Sequence, residues 1–551
     1  MARIEKQLHA WREPATPRPA ATILLLRDGE DGLQVLMTRR SETASFAPGA
    51  YVFPGGALDE SDGSERARAL SAVRSSQTDE QRAFSVAAIR EAFEELGVLL
   101  AYRPDGGVAS QVDVDMLERS TDADFLAQLE DGGYRMAVDR VWWLCQWITD
   151  RDLPKRFDAR FFIAPMPPGQ HPVADEGETF EPVWISPRHA LERHERGDFF
   201  MIFPTIRTLR RLADMPSVDD VLRACSADRP LWVSSPRGGR LGGDVERFSE
   251  HEPPYGELEL VVPDGRVLHS LDWQHEQAVP LLSNVQRLTA PNPGFMTGPG
   301  TNTYIVGEPG QWAVIDPGPD DEQHVRRIAG IVGDGLKYIL CTHAHPDHAP
   351  GAAILKRFTG APILGAPSGP HFRSEWHFTP DRTLTDGERL ALGDSTLRVI
   401  HTPGHASNHL CFLLEEDRLL FSGDHINNGS TVVIDPPDGD MSAYLEALHR
   451  LLHEPIDYIL PAHGWVLGPA PEAIRHLISH RKAREAKVLG AVRRARSAPL
   501  GQLLPVVYDD VRPQLHAVAS RSLLAHLQKL QDDGLVEHAG EHWVAVGPHR
   551  A

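Results

Sequence analysis

No apolar run in this sequence approaches the ~18–20 residues that span a bilayer, and the best, Ala21-Thr-Ile-Leu-Leu-Leu26, is strand-sized. A charged-then-apolar leader pattern is also missing, since Trp11-Arg-Glu-Pro14 is polar and proline-bearing. Both absences point to a cytoplasmic protein with no membrane partner. Cysteine is scarce. Cys145, Cys225, Cys341 and Cys411 are far apart and form no C-x-x-C pair, which argues against a zinc knuckle, a dithiol redox site or a disulfide framework. Positive charge is in deficit as well: 56 Lys and Arg stand against 77 Asp and Glu, a formal net charge of −21. A protein that coats nucleic acid over a broad face would carry the opposite sign. The local exception is 481–496, with seven basic residues and one acid. A solvated helix face is expected there, with a polyanion contact as the alternative.

What is present is enough chain for several cores. At 551 residues, 41% hydrophobic and 24% charged, the composition is that of an ordinary soluble globular protein of two to four domains. An N-terminal arm, 1–19, precedes a first domain over 20–216, which opens with β-rich runs at 21–27 and 33–39 around a turn at 28–32. A glutamate-rich helix is predicted near 87–100, followed by strands at 160–164 and 182–186 and a helix at 187–196. Residues 217–280, rich in Gly, Pro and charge, read as a connector. Residues 281–470 alternate strands with helices, and from 471 to 551 helical periodicity dominates until a closing hairpin at 535–546.

Histidine is the informative residue type. Lys337-Tyr-Ile-Leu-Cys341 is a short apolar run of buried-strand type, and it ends in Thr342-His-Ala-His-Pro-Asp-His348. Three histidines and an aspartate within six residues, at a strand end, are costly to place for packing alone. Borderline metals such as zinc take imidazole nitrogen and carboxylate oxygen, usually from four ligands. The alternation of His343 and His345 lets both point to one ion, while Asp347 and His348 turn to a second. Further donors close later apolar runs: His405 follows 395–400, Asp424 follows 418–423, and His463 follows 456–462. A solitary histidine in such a place is usually structural; a whole set points to chemistry.

H-x-H-x-D-H, followed by H, D and H in that order, resembles the metallo-β-lactamase superfamily, whose αββα sandwich places its metals at loops between strands. The resemblance implies that His343, His345 and His405 hold a first ion. Asp347, His348 and His463 would hold a second, Asp424 would bridge both, and Asp316 would support the site from behind. Two zinc ions, or other transition-metal ions, would lower the pKa of a shared water and polarise a carbonyl or phosphoryl oxygen. The nucleophile is then hydroxide, with Asp347 and Asp424 as the catalytic carboxylates.

Thr301-Asn-Thr-Tyr304, Ser430-Thr-Val-Val433 and Ile478-Ser-His-Arg481 look like the lactamase-β-like, endoribonuclease-type group. Leu523-Leu-Ala-His-Leu-Gln-Lys-Leu530 with Gly534 resembles the winged-helix-like domain appended in that group. Its apolar stripe and the acids at Asp532 and Asp533 lead us to expect packing rather than DNA reading. Only 38 residues separate Asp424 from His463, too few for the inserted domain of the β-CASP nucleases. Glyoxalase-type thioesterases share the ligands and stay open.

A second constellation, Arg90-Glu-Ala-Phe-Glu-Glu-Leu-Gly97, sets Ile89, Phe93 and Leu96 on one helical face and Glu91, Glu94 and Glu95 on the other. Glu91 and Glu95 are a like-charge pair with no lysine four residues on to relieve it. Carboxylates crowded in this way suit magnesium or manganese. With Val52-Phe-Pro-Gly-Gly56 upstream, the segment resembles the Nudix box, G-x(5)-E-x(7)-R-E-U-x-E-E-x-G-U. Gly56, Arg90, Glu91, Glu94, Glu95, Gly97 and Val98 match. Asp62 takes the first glutamate position, and 27 residues rather than seven separate it from Arg90. The resemblance implies Glu91, Glu94 and Glu95 as ligands, with Glu94 and Glu95 catalytic. The long split, and Leu36-Met-Thr-Arg-Arg-Ser41, look like the peroxisomal CoA-diphosphatase branch. Ser45 stands where that signature has an arginine, and Pro548-His-Arg-Ala551 is no peroxisomal address. Glu176, Glu178 or Glu181 could add a ligand or base.

These readings describe a multidomain α/β protein: a Nudix α/β/α sandwich, an αββα metallo-β-lactamase sandwich and a small winged-helix-like α domain. The expected function is metal-dependent hydrolysis of small anionic substrates at two sites. The Nudix half would cleave a nucleoside diphosphate derivative of CoA type with Mg2+ or Mn2+. The other half would cleave an ester, thioester or phosphodiester with two Zn2+. The alternative is an RNA-processing endoribonuclease whose Nudix half is degenerate or a binding module.

Overall fold

Ile23 to Leu26 are buried on both faces of a sheet, so this strand reads as a continuous apolar run rather than as alternation. The computed structural model describes all residues except 1, 31, 44–46, 120–122, 175–178, 372–376 and 547–551. Ser45, Glu176, Glu178 and the 548–551 tetrapeptide thus lie outside the described residues. The chain forms two compact units, one of Glu13–Pro236 and one of Met1–Arg12 with Arg237–Ala551. No helix among the described residues is long and apolar enough to cross a membrane. All four cysteines are buried and free.

In the Glu13–Pro236 unit, strand Arg18–Gly29 pairs antiparallel with Gly32–Arg40 and parallel with Phe157–Pro165, within an eight-stranded mixed sheet. Ile23 and Leu25 face a layer that includes Ile89, Phe93 and Leu96 of helix α1 (Asp79–Leu96). Leu24 and Leu26 face the opposite layer, with Leu209, Leu212 and Val221. That is the α/β/α sandwich. Helix α1 begins at Asp79 rather than near residue 87, because Thr78 and Gln81 close a reciprocal capping box ahead of the apolar stripe. It stops at Leu96 because Gly97 turns left-handed, at φ 62°.

The second unit stacks a seven-stranded sheet on a five-stranded one. Successive residues alternate between the inter-sheet core and the outer helices. Tyr304, Val306, Ala313, Ile315 and Leu340 meet Leu397, Val399, Phe412, Phe421 and Leu460 between the sheets. Ile305, Val314 and Ile339 face one helical layer, with Val325, Ile328 and Leu355. Ile400, Cys411, Leu413, Leu420 and Ile459 face the other, which includes helix α2 (Met441–Leu451) and helix α3 (Ala470–Ala495). Burial on both faces makes these strands uniformly apolar, and four layers result.

Helix α3 runs on into a small domain that contains helix α4 (His516–Asp532) and the hairpin Val536–Ala539 and His542–Ala545. Leu523, Leu527 and Leu530 are buried in its core, as their stripe predicts. The segment read as a connector contains a hairpin, Arg237–Leu241 with Asp244–Phe248, and a helix, Tyr255–Val261. That helix delivers Glu257, fully buried, to Arg287 and His269. Burial alone would raise Glu257, but the Arg287 guanidinium, with the hydrogen bond from His269, holds it down to about 2.

Candidate metal centre

Two pairs of parallel neighbours supply the platform. Gln311–Ile315 and Leu336–Leu340 run parallel in one sheet, and Leu419–Gly423 and Tyr458–Pro461 run parallel in the other. Parallel strands bring their carboxyl ends to one edge, and side chains beyond those ends converge. Asp316, the Thr342–His348 turn, Asp424 and His463 follow these four strands directly, and His405 follows Ser395–His401.

The residues meet as two groups of donors, His343, His345, His405 and Asp424, and Asp347, His348, Asp424 and His463. Within each group all donor atoms lie within 4.8 Å of one another, so each could hold a metal ion. Nε2 of His343 and Nε2 of His405 lie 2.8 and 3.0 Å from Nδ1 of His345. Asp424 Oδ2 is 3.5 Å from His405 Nε2 and 3.6 Å from His348 Nε2, and its Oδ1 is 3.2 Å from His463 Nε2. Asp347 Oδ2 is 3.3 Å from both His348 and His463.

The backs of the rings are engaged. Nδ1 of His405 donates to Val433 O at 2.7 Å and Nδ1 of His463 to Gly300 O at 3.2 Å. Nδ1 of His348 faces Asp316 Oδ2 at 2.9 Å, and Nδ1 of His343 faces Thr342 Oγ1 at 2.9 Å. Asp316 also accepts from the backbone and hydroxyl of Thr342, both at 2.8 Å, from a left-handed backbone at φ 51°. Fixing one ring nitrogen outward aims the other inward. Nε2 of His348 and of His463 are buried and make no hydrogen bond, only the carboxylate contacts above.

The electrostatics divide the site. Burial lowers His343 far below the ordinary histidine value and His345 to about 3, each further opposed by neighbouring imidazoles. Burial also works against charge on His348 and His463, but Asp347, Asp424 and Asp316 lift His348, and Asp424 with Asp347 pushes His463 up to about 10. Carboxylates this demanding of positive charge, beside imidazoles held neutral, match the needs of divalent ions.

Three contributors escaped the sequence reading. Buried His409 accepts from the Asp424 backbone N–H at 3.1 Å, and Asn427 donates to Asp424 Oδ1 at 3.1 Å. Gly423, at φ 51°, must lack a side chain: a Cβ would stand 2.6 Å from Thr342 Oγ1 and 2.7 Å from His409 Nε2. None of the three lies in a spacing that signals chemistry.

In the other unit, Arg90 organises the acids. Its Nε and Nη2 donate to the two Asp62 oxygens at 3.1 Å each, and its Nη1 donates to Glu91 at 2.8 Å and Glu94 at 2.9 Å. The relief sought from a lysine comes from the neighbouring arginine. Burial raises Glu91 to about 7 and raises Glu94, with Arg90 opposing in both. Glu95 is buried on the same helix. Gly56 leaves room for Glu91, whose Oε1 would lie 2.4 Å from a Cβ there. Glu181 pairs with Arg39 at 3.1 Å and accepts from the Tyr51 hydroxyl at 3.3 Å.

An αββα sandwich with such a donor edge, in one chain with an α/β/α sandwich built on a glutamate helix, defines the class. The chain belongs to the metallo-beta-lactamase superfamily, matched over residues 296–463, and it also carries a NUDIX domain over 16–201 and a beta-lactamase associated winged helix domain over 500–543. Both are hydrolase superfamilies that use divalent metals.

Among its relatives, the lactamase-like protein adaB of Aspergillus niger is 30% identical over 290 residues, 48% of this chain and 87% of that protein. An atrochrysone carboxyl ACP thioesterase of Aspergillus chevalieri is 32% identical over 283 residues, again 48% and 87%. A NUDIX hydrolase structure from Alicyclobacillus acidocaldarius is 29% identical, covering 38% of this chain and 96% of that one, with a TM-score of 0.35.

Proposed function

We propose that the metallo-β-lactamase unit is a dinuclear hydrolase of thioesters and that the Nudix unit hydrolyses a nucleoside diphosphate derivative of CoA type. The observation that carries the first is Asp424, whose two oxygens face donors of both groups, so that one carboxylate would serve two ions. His343, His345 and His405 would hold one, and Asp347, His348 and His463 the other. Bound there, two Zn2+ or similar ions would supply an acidified water and a Lewis acid for the carbonyl oxygen.

The chain's own groups do the rest. Asp424 would contribute one oxygen to each ion. Asp347 is the more open carboxylate, with a side chain 25% exposed against 13% for Asp424, and it is placed to hold a proton between attack and thiol departure. In the Nudix unit, Glu91, Glu94 and Glu95 would hold Mg2+ or Mn2+, with Arg90 fixing their geometry.

The thioester is favoured over a phosphodiester by the name of the Aspergillus chevalieri relative and by the net charge of −21. Basic residues of helix α3 are also engaged within the chain. Arg481 is buried over the Tyr444 ring, Arg484 grips Asp510 at 2.7 and 2.8 Å, and Lys487 pairs with Asp509.

The test is a substrate panel on the full-length protein with zinc and with manganese: acyl-CoAs, an acylated carrier protein, CoA and single-stranded RNA. Thiol release is expected from the thioesters and diphosphate cleavage from CoA. His345→Ala should remove the first by at least ~100-fold and leave the second within a few-fold, and Glu94→Gln should do the reverse. If either substitution silences both activities in a folded protein, two independent sites are excluded. RNA cleavage lost in Asp424→Ala would replace the thioester by the endoribonuclease reading.

A further inference from the structure

Residues 432–434 lie in no strand, yet Val432 and Ile434 are buried. Their peptide groups therefore depend on side chains for partners. Val432 O accepts from Arg481 of helix α3, Val433 O accepts from Nδ1 of His405, and the Ile434 N–H donates to Ser522 Oγ of helix α4 at 3.3 Å. The next residue, Asp435, is paired with Arg521 of α4 at 3.3 Å. Ile434 packs in one apolar cluster with Ala525 of α4, Met441 of α2 and Ile478 of α3. The carbonyl that orients His405 is thus held on both sides by helices that lie outside the metallo-β-lactamase match.

We propose that the winged-helix domain is a positioning element of the metal centre, with Ser522 and Arg481 aiming His405 at the first ion by fixing the Val432–Ile434 backbone. This rests on the dinuclear reading above. Helix α4 then serves the site through its packing on the Val432–Asp435 segment. Losing a partner behind a metal-bound histidine typically costs ~10–100-fold in metal affinity. The loss should fall on the ion held by His343, His345 and His405, and spare the one held by Asp347, His348 and His463.

The experiment measures zinc affinity of the full-length protein by chelator competition, with visible spectra of the Co2+-substituted protein to tell the two ligand fields apart. Variants are Ser522→Ala, and Arg521→Ala, which breaks only an exposed pair and so keeps the fold; thermal melting accompanies each. We expect one of two ions to bind several-fold more weakly in Ser522→Ala and in Arg521→Ala, short of the full loss because Val433 O itself is kept, and near wild type in Ser522→Thr. Unchanged affinity for both ions in both alanine variants, or an equal loss at the two ions, overturns the proposal. A wild-type protein that binds no metal at neutral pH would instead remove the dinuclear reading, and the proposal with it.

Discussion

Arg90 and Asp62, 28 positions apart in the chain, meet in a two-point ion pair, Nε to Oδ1 and Nη2 to Oδ2, both at 3.1 Å. Asp62 is almost fully buried and lies in the short helical turn Glu60–Gly63, where its side chain accepts from the backbone N–H of the capping Asp59. The extra residues between box glycine and box arginine form a helix, Glu65–Ala69, and the approach to α1, leaving the pair intact. Asp62, at the position where the Nudix box has a glutamate, thus reaches Arg90 with a side chain shorter by one methylene.

The pair predicts that Asp62→Ala is costly. Arg90 keeps Glu91 and Glu94, but two charged hydrogen bonds are lost and its Nε and Nη2 are left short of a partner, at about 1–3 kcal/mol. Urea unfolding should show a loss of this order, and diphosphate hydrolysis should fall with it because Arg90 also holds Glu91 and Glu94. A variant as stable and as active as the parent would show that the pair is dispensable.

Metal content checks the dinuclear reading. The purified protein should carry close to two transition-metal ions in the metallo-β-lactamase unit, because two donor groups share Asp424. Asp424→Ala should lose at least one. Elemental analysis that finds none after reconstitution at neutral pH would dispose of the assignment.

Glu91 predicts a pH dependence. Burial lifts it from 4.5 to about 7, so between those values the folded unit binds a proton that the unfolded chain has released. Its contribution favours folding below pH 4.5 and is lost as pH rises through 7, by on the order of 3 kcal/mol. Metal-free protein should therefore lose stability across this window, and Glu91→Gln should flatten the slope. An identical slope in the variant would assign the effect elsewhere.

The arginines at the end of helix α3 separate small substrates from RNA. Arg493, Arg494 and Arg496 are exposed. Replacing all three with alanine should leave thioester hydrolysis within about two-fold. Were RNA the substrate, the salt dependence of its binding would flatten by a few units of slope.

Much of this was legible in the sequence because donor spacing and strand ends are local facts. Residues 343–348, 405, 424 and 463 each terminate an apolar run, and apolar runs are what a four-layer sandwich must contain. The supports were not legible. His409 reaches Asp424 only through the fold, Gly423 and Asn427 stand beside it in the chain but in no spacing that marks chemistry, and Val433 acts through a carbonyl that every residue possesses. The early start of α1 was hidden for a different reason: its first turn is polar, and its signal is a cap rather than a period.

The first dozen residues belong with the metallo-β-lactamase unit although the Nudix unit follows them in the chain. Lys6 neutralises buried Asp417 at 2.8 Å, Arg3 bonds Asp457 at 2.8 Å, and Leu8 packs on the inter-sheet core. A single cut therefore cannot divide this protein. Truncation at residue 236 removes Lys6 with the Nudix unit and strands a carboxylate in the interior of what is left. Excision of 13–236, with Arg12 rejoined to Arg237 through a flexible spacer, keeps that partner. On the ribosome the same order makes the arm wait, since Asp417 and Asp457 are synthesised only after the whole Nudix unit.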